Sequence, residues 1–164
     1  MSTPATPATP TPPADPSGPR GPRTTTYTVD VTFGDCDPAG IVFFPNFCRW
    51  MDTASLSFFM QCGVPPWREL EKTRGIVGTP LLEINTKFVK SATYGETLLV
   101  TTHVEEWHTK VIVQVHRITR ERDDGLRDLI CEGREVRAFV KRDAEDRDRL
   151  RAIPVPDDIR QLCT

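Results

Sequence analysis

The sequence predicts an α+β fold in which an antiparallel β-sheet wraps around one long central helix. Three observations carry this reading: one half-buried strand early in the chain, one long helix with apolar surface on two sides, and a second half of strand-forming runs separated by turn residues. The chain has 164 residues, of which 38% are apolar and 27% charged, the size and balance of one domain.

The first stretch stands apart from this plan. Eight of the 15 prolines fall within the first 22 residues, among Thr, Ala and Ser and without a large hydrophobe. Such a composition cannot bury enough apolar area to offset its ordering entropy, so residues 1–23 are expected to be a disordered Pro/Thr/Ala-rich tail and 24–164 the folded domain. From Thr24 the pattern alternates: Tyr27, Val29, Val31 and Phe33 share one face, Thr28, Asp30 and Thr32 the other, as in a half-buried strand. Gly34-Asp-Cys-Asp-Pro-Ala-Gly40 follows, a loop by its breaker residues.

A helix is expected from Pro45, since proline suits the first helical position, to about Cys62, where Gly63 and Pro65 stop it. At 100° per residue, Phe47, Trp50, Met51, Ala54 and Phe58 form one core-facing stripe. Cys48, Leu56 and Phe59 form a second apolar sector with Asp52 among them, as on a helix wrapped by a sheet that also meets a partner. Strands are expected over 76–89, 97–108, 111–119 and 129–140, rich in Val, Ile, Thr and aromatics and punctuated by Tyr94-Gly95-Glu96, a tight turn near Thr109, and Asp123-Asp124-Gly125. Sequential antiparallel pairing is the economical topology, and residues 156–163 are at most a short helical turn.

Composition removes several functions. Lys plus Arg number 21 against 23 Asp plus Glu, and the densest charged region, 120–151, carries ten of each sign in alternation, so the basic footprint of nucleic-acid binding is missing. The five cysteines are odd in number, widely spaced and never in a C-x-x-C, which argues against a disulfide framework or a metal site. No signal-peptide pattern and no membrane-length apolar run is present; the cytoplasm is the expected compartment.

Chemistry is best sought around the loop. Asp35 and Asp37 lie between a strand and a helix start, where scaffolds carry function, although Gly-Asp and Asp-Pro are also common turn formers. The segment lacks the further oxygen ligands and terminal Glu of an EF-hand and the Gly-Lys-Ser/Thr of a phosphate loop. With Pro45 first in the helix, Phe44 is its N-cap and has no side-chain acceptor, which leaves the Phe44 N–H and the helix donors open to a carbonyl oxygen or anion. A carboxylate seven residues before such an end is a nucleophile or base beside an oxyanion donor, as acyl transfer requires. A helix start capped only by water fits the same residues. Ser55 and Ser57 have no His placed to make a triad, and His103 and His116, on strands, are assigned no role.

The run Phe33-Gly-Asp-Cys-Asp-Pro-Ala-Gly-Ile-Val-Phe-Phe-Pro-Asn46, with Arg49-Trp-Met-Asp52, Cys62-Gly-Val-Pro-Pro-Trp67, Arg74-Gly-Ile-Val-Gly-Thr-Pro80 and Arg149-Leu-Arg-Ala-Ile153, resembles the Pseudomonas-type 4-hydroxybenzoyl-CoA thioesterases. Asp-Pro-x-Gly-Ile-Val alone marks the broader HotDog-fold acyl-CoA thioesterases; Asp52 and Pro-Pro-Trp narrow it. The resemblance implies a HotDog fold, a homotetramer built from two dimers with active sites at the dimer interface, an acyl-CoA substrate and no metal. It implies that Asp37 is the catalytic carboxylate, that the Phe44 N–H polarises the thioester carbonyl, and that Asp52 meets the substrate's phenol from the neighbouring subunit. Lys110, Arg149 and Arg151 match positions that hold the CoA phosphates; His108 stands where an Arg is implied and lacks the guanidinium fork. Phe43 and Phe44 replace the Trp and Tyr usual there. Aliphatic or differently substituted acyl-CoAs, or a binding module without catalysis, are the competing readings. A hydratase of this fold would want a His at position 42, which is Val42. For Asp52, a purely structural pairing with an Arg at a subunit contact competes with substrate contact.

Overall fold

A computed structural model describes residues 22–146 and 148–164. The tail expected over 1–23 lies outside them except for Pro22 and Arg23. Arg23 belongs with the folded body: its guanidinium donates to the carbonyls of Leu162 and Gln61 at 2.9 and 3.2 Å.

The first strand, β1 (Thr24–Asp30), leads through a 3-10 turn (Phe33–Asp35) to α1 (Pro45–Gln61). A short helix α2 (Trp67–Arg74), two strands β2 (Ile76–Gly78) and β3 (Leu81–Phe88), and the long strands β4 (Thr97–Trp107), β5 (Val111–Glu121) and β6 (Arg127–Ala138) follow. The chain ends with β7 (Val140–Arg142), β8 (Leu150–Ala152) and α3 (Asp157–Cys163). One face of the five-stranded antiparallel sheet packs on α1, so the predicted architecture stands.

The order within the sheet is β1-β4-β5-β6-β3. Only β4 to β6 pair sequentially. β1 takes the open side of β4, from Thr24 opposite His103 to Asp30 opposite Thr97, and β3 is sent to the far edge, from Leu81 opposite Arg137 to Phe88 opposite Cys131. The expected strand over 76–89 is two strands, because the chain breaks at Gly78 (φ 145°) and Pro80, and β2 leaves for a separate three-stranded sheet with β7 and β8. The run over 129–140 divides likewise into β6 and β7. The helix α2 lies outside the sequence-based plan, yet carries end signals: Lys72 and Arg74 in its last turn and Gly75 in the left-handed conformation after it (φ 72°). The expected helical turn near the C-terminus is the seven-residue α3. Phe33, expected on the buried face of β1, sits in the 3-10 turn and is 79% exposed.

The predicted stripe of α1 is buried as a set, with Ser55 and Phe59 added to it. Phe47, Trp50, Met51 and Ala54 pack with Leu98, Val100, Ile118 and Ile130 of the sheet, and Phe58 and Phe59 join Leu70, Ile112 and Phe139 in a second cluster. Burial of side chains this size contributes about 1.5–3 kcal/mol each. Where α1 crosses β6, a Cβ at Gly133 would overlap the Met51 thioether, so any larger residue there forces the buried Met51 side chain to move. The outer edge strand β3 stays open, with Leu81, Leu82 and Phe88 among its exposed residues.

Candidate active site

The loop between β1 and α1 is held from both sides. An isolated bridge joins Cys36 to Val42, the Val42 N–H donates to the Ala92 carbonyl at 2.8 Å, and the Thr93 hydroxyl donates to the Gly40 carbonyl at 2.7 Å. Within it the two aspartates part company. Asp35 is buried; one carboxylate oxygen accepts from the Thr32 N–H and hydroxyl at 2.9 and 2.7 Å, and the other from Arg49 at 2.6 Å. Burial opposes its ionisation, but the Thr32 donors and the Arg49 cation outweigh that and hold its carboxyl below the usual range. Its main-chain carbonyl also accepts from Phe43 N–H and the Asn46 amide. Asp35 is a brace.

Asp37 is half-buried and largely unspent. Its Oδ1 accepts from the Ala39 N–H at 2.8 Å in an Asx turn, its N–H donates to Ile41 and its carbonyl accepts from Gly40, both at 2.9 Å. Oδ2 has no partner among the described residues. Gly40, at φ 77°, makes the tight return possible.

At the helix start the sequence reading needs correction. Phe44 is the N-cap without a side-chain bond, as expected, but its backbone is already helical (φ −53°, ψ −33°). A 3-10 lead-in results: Asn46 N–H donates to Phe43 and Phe47 N–H to Phe44, at 2.9 and 3.1 Å. Those donors are therefore not free, and Pro45 has none. The Phe44 N–H is the donor that remains without a partner among the described residues, at the positive end of α1. The Phe43, Phe44 and Phe88 rings form an edge-on aromatic wall beside it.

Asp52 lies elsewhere. It is not enclosed by Cys48, Leu56 and Phe59; its side chain is 65% exposed and lines an open groove of about 360 Å3 with Leu56, Trp67, Gly78, Thr79 and Arg137. Its Oδ1 accepts from Arg137 Nη2 at 2.7 Å, so Asp52 does pair with an Arg, but with one of its own chain and not with one at a subunit contact as weighed above. Arg137 rests on buried Glu135, and Glu135 on His116. The sequence reading missed Arg137 and Glu135 and assigned no role to His116; the signal available was polar residues at inward positions of β5 and β6, where the period of two calls for apolar ones. Neither Asp37 nor Phe44 borders this groove.

The four basic positions are exposed. His108 and Lys110 sit at the β4–β5 turn, which is tied to the β6–β7 junction and the C-terminal segment by Phe139 N–H to the Lys110 carbonyl and Val155 N–H to the Thr109 carbonyl, at 3.0 and 2.8 Å. Arg149 precedes β8 and Arg151 lies on it, opposite Lys141, so these three share one face. Arg151 is ion-paired with Asp143, and His108 with Glu106 at 2.9 Å. Among the described residues no three His, Cys, Asp or Glu side chains gather to hold a metal ion, and no helix is long and apolar enough to cross a membrane.

Residues 31–162 match the profile of the thioesterase-like superfamily. Over 134 residues, 82% of this chain and 93% of the relative, the sequence is 47% identical to the 4-hydroxybenzoyl-CoA thioesterase of Pseudomonas sp. strain CBS-3. A crystal structure of a 4-hydroxybenzoyl-CoA thioesterase Asp-to-Asn mutant with 4-hydroxybenzoyl-CoA bound superposes with a TM-score of 0.82 at 44% identity, covering 87% of this chain and 99% of that one. A gentisyl-coenzyme A thioesterase matches with a TM-score of 0.70 at 29% identity, over 83% of this chain and 99% of its own.

Proposed function

Because the chain belongs to the thioesterase-like superfamily and is a thioesterase, we propose that the bond it breaks is the thioester of 4-hydroxybenzoyl-CoA or a closely related aryl-CoA. The observation that carries the reading is a pair of groups on one braced loop that have no partner among the described residues, the Asp37 Oδ2 and the Phe44 N–H. A carboxylate and a helix-end donor divide the work of acyl transfer: one attacks or delivers water, the other takes the charge that develops on the carbonyl oxygen. If Asp37 attacks, the C–S bond breaks with release of CoA thiolate and leaves a mixed anhydride that water opens. If it acts as base, Asp37 takes a proton from water as the oxygen adds to the carbonyl, the C–S bond then breaks with release of CoA thiolate, and the proton passes from Asp37 to that thiolate or to solvent. Single turnover in isotopically labelled water tests for the anhydride, since label enters the Asp37 carboxylate only when water opens an anhydride at that carbonyl.

Asp52 reads the ring. It stands eight residues after Phe44 on α1, about 12 Å along the helix axis, further than the carbonyl and para hydroxyl of one benzoyl group. The Asp52 that meets the phenol therefore belongs to a second copy, a reading supported by the open β3 edge and the exposed Leu56 and Met60 on α1. The resemblance to the hydroxybenzoyl type extends this to a homotetramer, a dimer of dimers, acting in the cytoplasm on products of aromatic degradation. Lys110, Arg149 and Arg151, with His108 beside them, carry the CoA phosphates.

Thiol release from 4-hydroxybenzoyl-, benzoyl-, gentisyl- and a medium-chain acyl-CoA, with a metal chelator present, tests the assignment. 4-Hydroxybenzoyl-CoA is expected to show the highest kcat/KM. Asp52→Asn should narrow its preference over benzoyl-CoA by about 1–3 kcal/mol, the cost of stranding a hydrogen-bonding group. Equal loss on both substrates would refute the ring-reading role, and binding without turnover would make the protein a sensing module.

A further inference from the structure

A chain of polar side chains runs through the molecule from the buried side of the sheet to the groove, crossing β4, β5, β6 and α1. The Thr102 hydroxyl meets His116 Nδ1 at 2.8 Å, and His116 Nε2 meets Glu135 Oε2 at 3.1 Å. The same Glu135 oxygen accepts from Arg137 Nε at 2.7 Å. The remaining two arms of the guanidinium reach the Thr79 carbonyl at 3.0 Å and Asp52 Oδ1 at 2.7 Å. His116 and Glu135 are fully buried and the Arg137 side chain is 6% exposed; Asp52, at the end, is open to the groove.

Stability alone is a poor account of this arrangement. Taking Glu135 and Arg137 out of water is costly, and well-packed apolar residues of the same volume commonly serve a core as well or better. The guanidinium instead has all three nitrogens committed to partners, which a planar fork does better than an ammonium. Two of those contacts, to Glu135 and the Thr79 carbonyl, fix where the third partner, the Asp52 carboxylate, points. With Oδ1 held, Oδ2 is the oxygen left for a donor in the groove. Ser55, one turn further along α1, adds a second tie by donating to Gln114 of β5, so the helix cannot rotate freely over the sheet at this level.

We propose that Arg137, seated on Glu135 and His116, is a positioning residue that aims Asp52 at the aryl hydroxyl and thereby sets the ring specificity. This rests on the reading of Asp52 given above. Arg137 itself need not touch the substrate. The cost of benzoyl-CoA in place of the hydroxylated ester arises because Oδ2, aimed by the hold on Oδ1, is left without its donor.

The experiment measures kcat/KM for 4-hydroxybenzoyl-CoA and benzoyl-CoA in Arg137→Lys, Arg137→Gln, Asp52→Asn and the double variant Asp52→Asn/Arg137→Gln, each checked for folding by circular dichroism and thermal unfolding. The expected result is a loss of hydroxyl preference in Arg137→Gln of about five- to a hundredfold, with benzoyl-CoA turnover nearly kept and no further loss of preference in the double variant. Arg137→Lys keeps the charge without the fork and should lose an intermediate amount; it supplies the answer if Arg137→Gln does not fold. Preference lost in Asp52→Asn but intact in the folded Arg137 variants would overturn the positioning role alone. Preference unchanged in Asp52→Asn would overturn the ring-reading role of Asp52 and this proposal with it.

Discussion

Replacing Asp37 by asparagine isolates chemistry from structure to an unusual degree. The Ala39 N–H is held by Asp37 Oδ1 alone, and the asparagine carbonyl oxygen can accept the same bond, so the Asx turn and the loop it closes survive. What changes is Oδ2, the oxygen without a partner among the described residues, which becomes an amide nitrogen unable to attack or to take a proton. Stability should shift by less than about 0.5 kcal/mol, the range of a substitution that breaks no buried contact, while kcat falls at least ~10^3-fold, about 4 kcal/mol of transition-state stabilisation. KM should stay nearly constant. Asp37→Ala should add about 1 kcal/mol of destabilisation for the lost turn bond. Asp35→Asn provides the contrast, with a twist that the structure adds: its carboxylate accepts three hydrogen bonds, so an amide there turns donors against donors. The loss should be about 1–3 kcal/mol of stability with a milder effect on kcat, little of it from the Arg49 pair, whose guanidinium side is 63% exposed. Thiol-release kinetics and denaturant unfolding on the same preparations check both. More than a tenth of the wild-type rate in Asp37→Asn would remove Asp37 from the reaction.

Lys110→Ala and Arg151→Ala should each raise KM more than they lower kcat, with an effect that shrinks as salt rises, because surface charges hold phosphates alike in ground and transition states and are screened beyond about 8 Å; a pure kcat defect would place them in the reacting centre. Removing residues 2–21 while keeping Arg23 should leave kcat and KM within about twofold, as the composition of that segment implies, and a larger change in steady-state kinetics would mean that it docks. Stability should fall on the acid side, read as denaturant midpoints below about pH 5: burial disfavours the Glu135 carboxylate, but His116 and Arg137 outweigh it and hold its carboxyl below the usual value. The sign follows from linkage, since a lowered carboxyl stabilises the fold above its unfolded value and loses that contribution as pH drops through the folded one. Asp35 acts in the same sense, and Glu135→Gln should flatten the acid limb relative to wild type.

The identity of the elements was legible in the sequence because their causes are local. Alternation at Val29 and Val31, Pro45 and Gly63 at the two ends of α1, and the stripe Phe47, Trp50, Met51, Ala54 and Phe58 each follow from a period or a terminus that a few neighbouring residues determine, and all hold in the structure. The loop was legible for the same reason, as was an open N–H at Phe44, although the further helix-start donors expected beside it are spent in the 3-10 lead-in, and the motif resemblance distinguished Asp37 from Asp35. What the sequence could not determine is whatever depends on partners far along the chain. Strand order is such a case: β3 resembles its neighbours in composition, yet it crosses to β6 because β1 already fills the free side of β4. The difference between the two aspartates in hydrogen bonding is another, since Thr32 and Arg49 converge on Asp35 only after the loop closes. Asp52 is the clearest. A helical wheel assigns it to an apolar sector, but the wheel does not include Arg137, 85 residues away, and a carboxylate's surroundings are decided by the charge that folding brings to it.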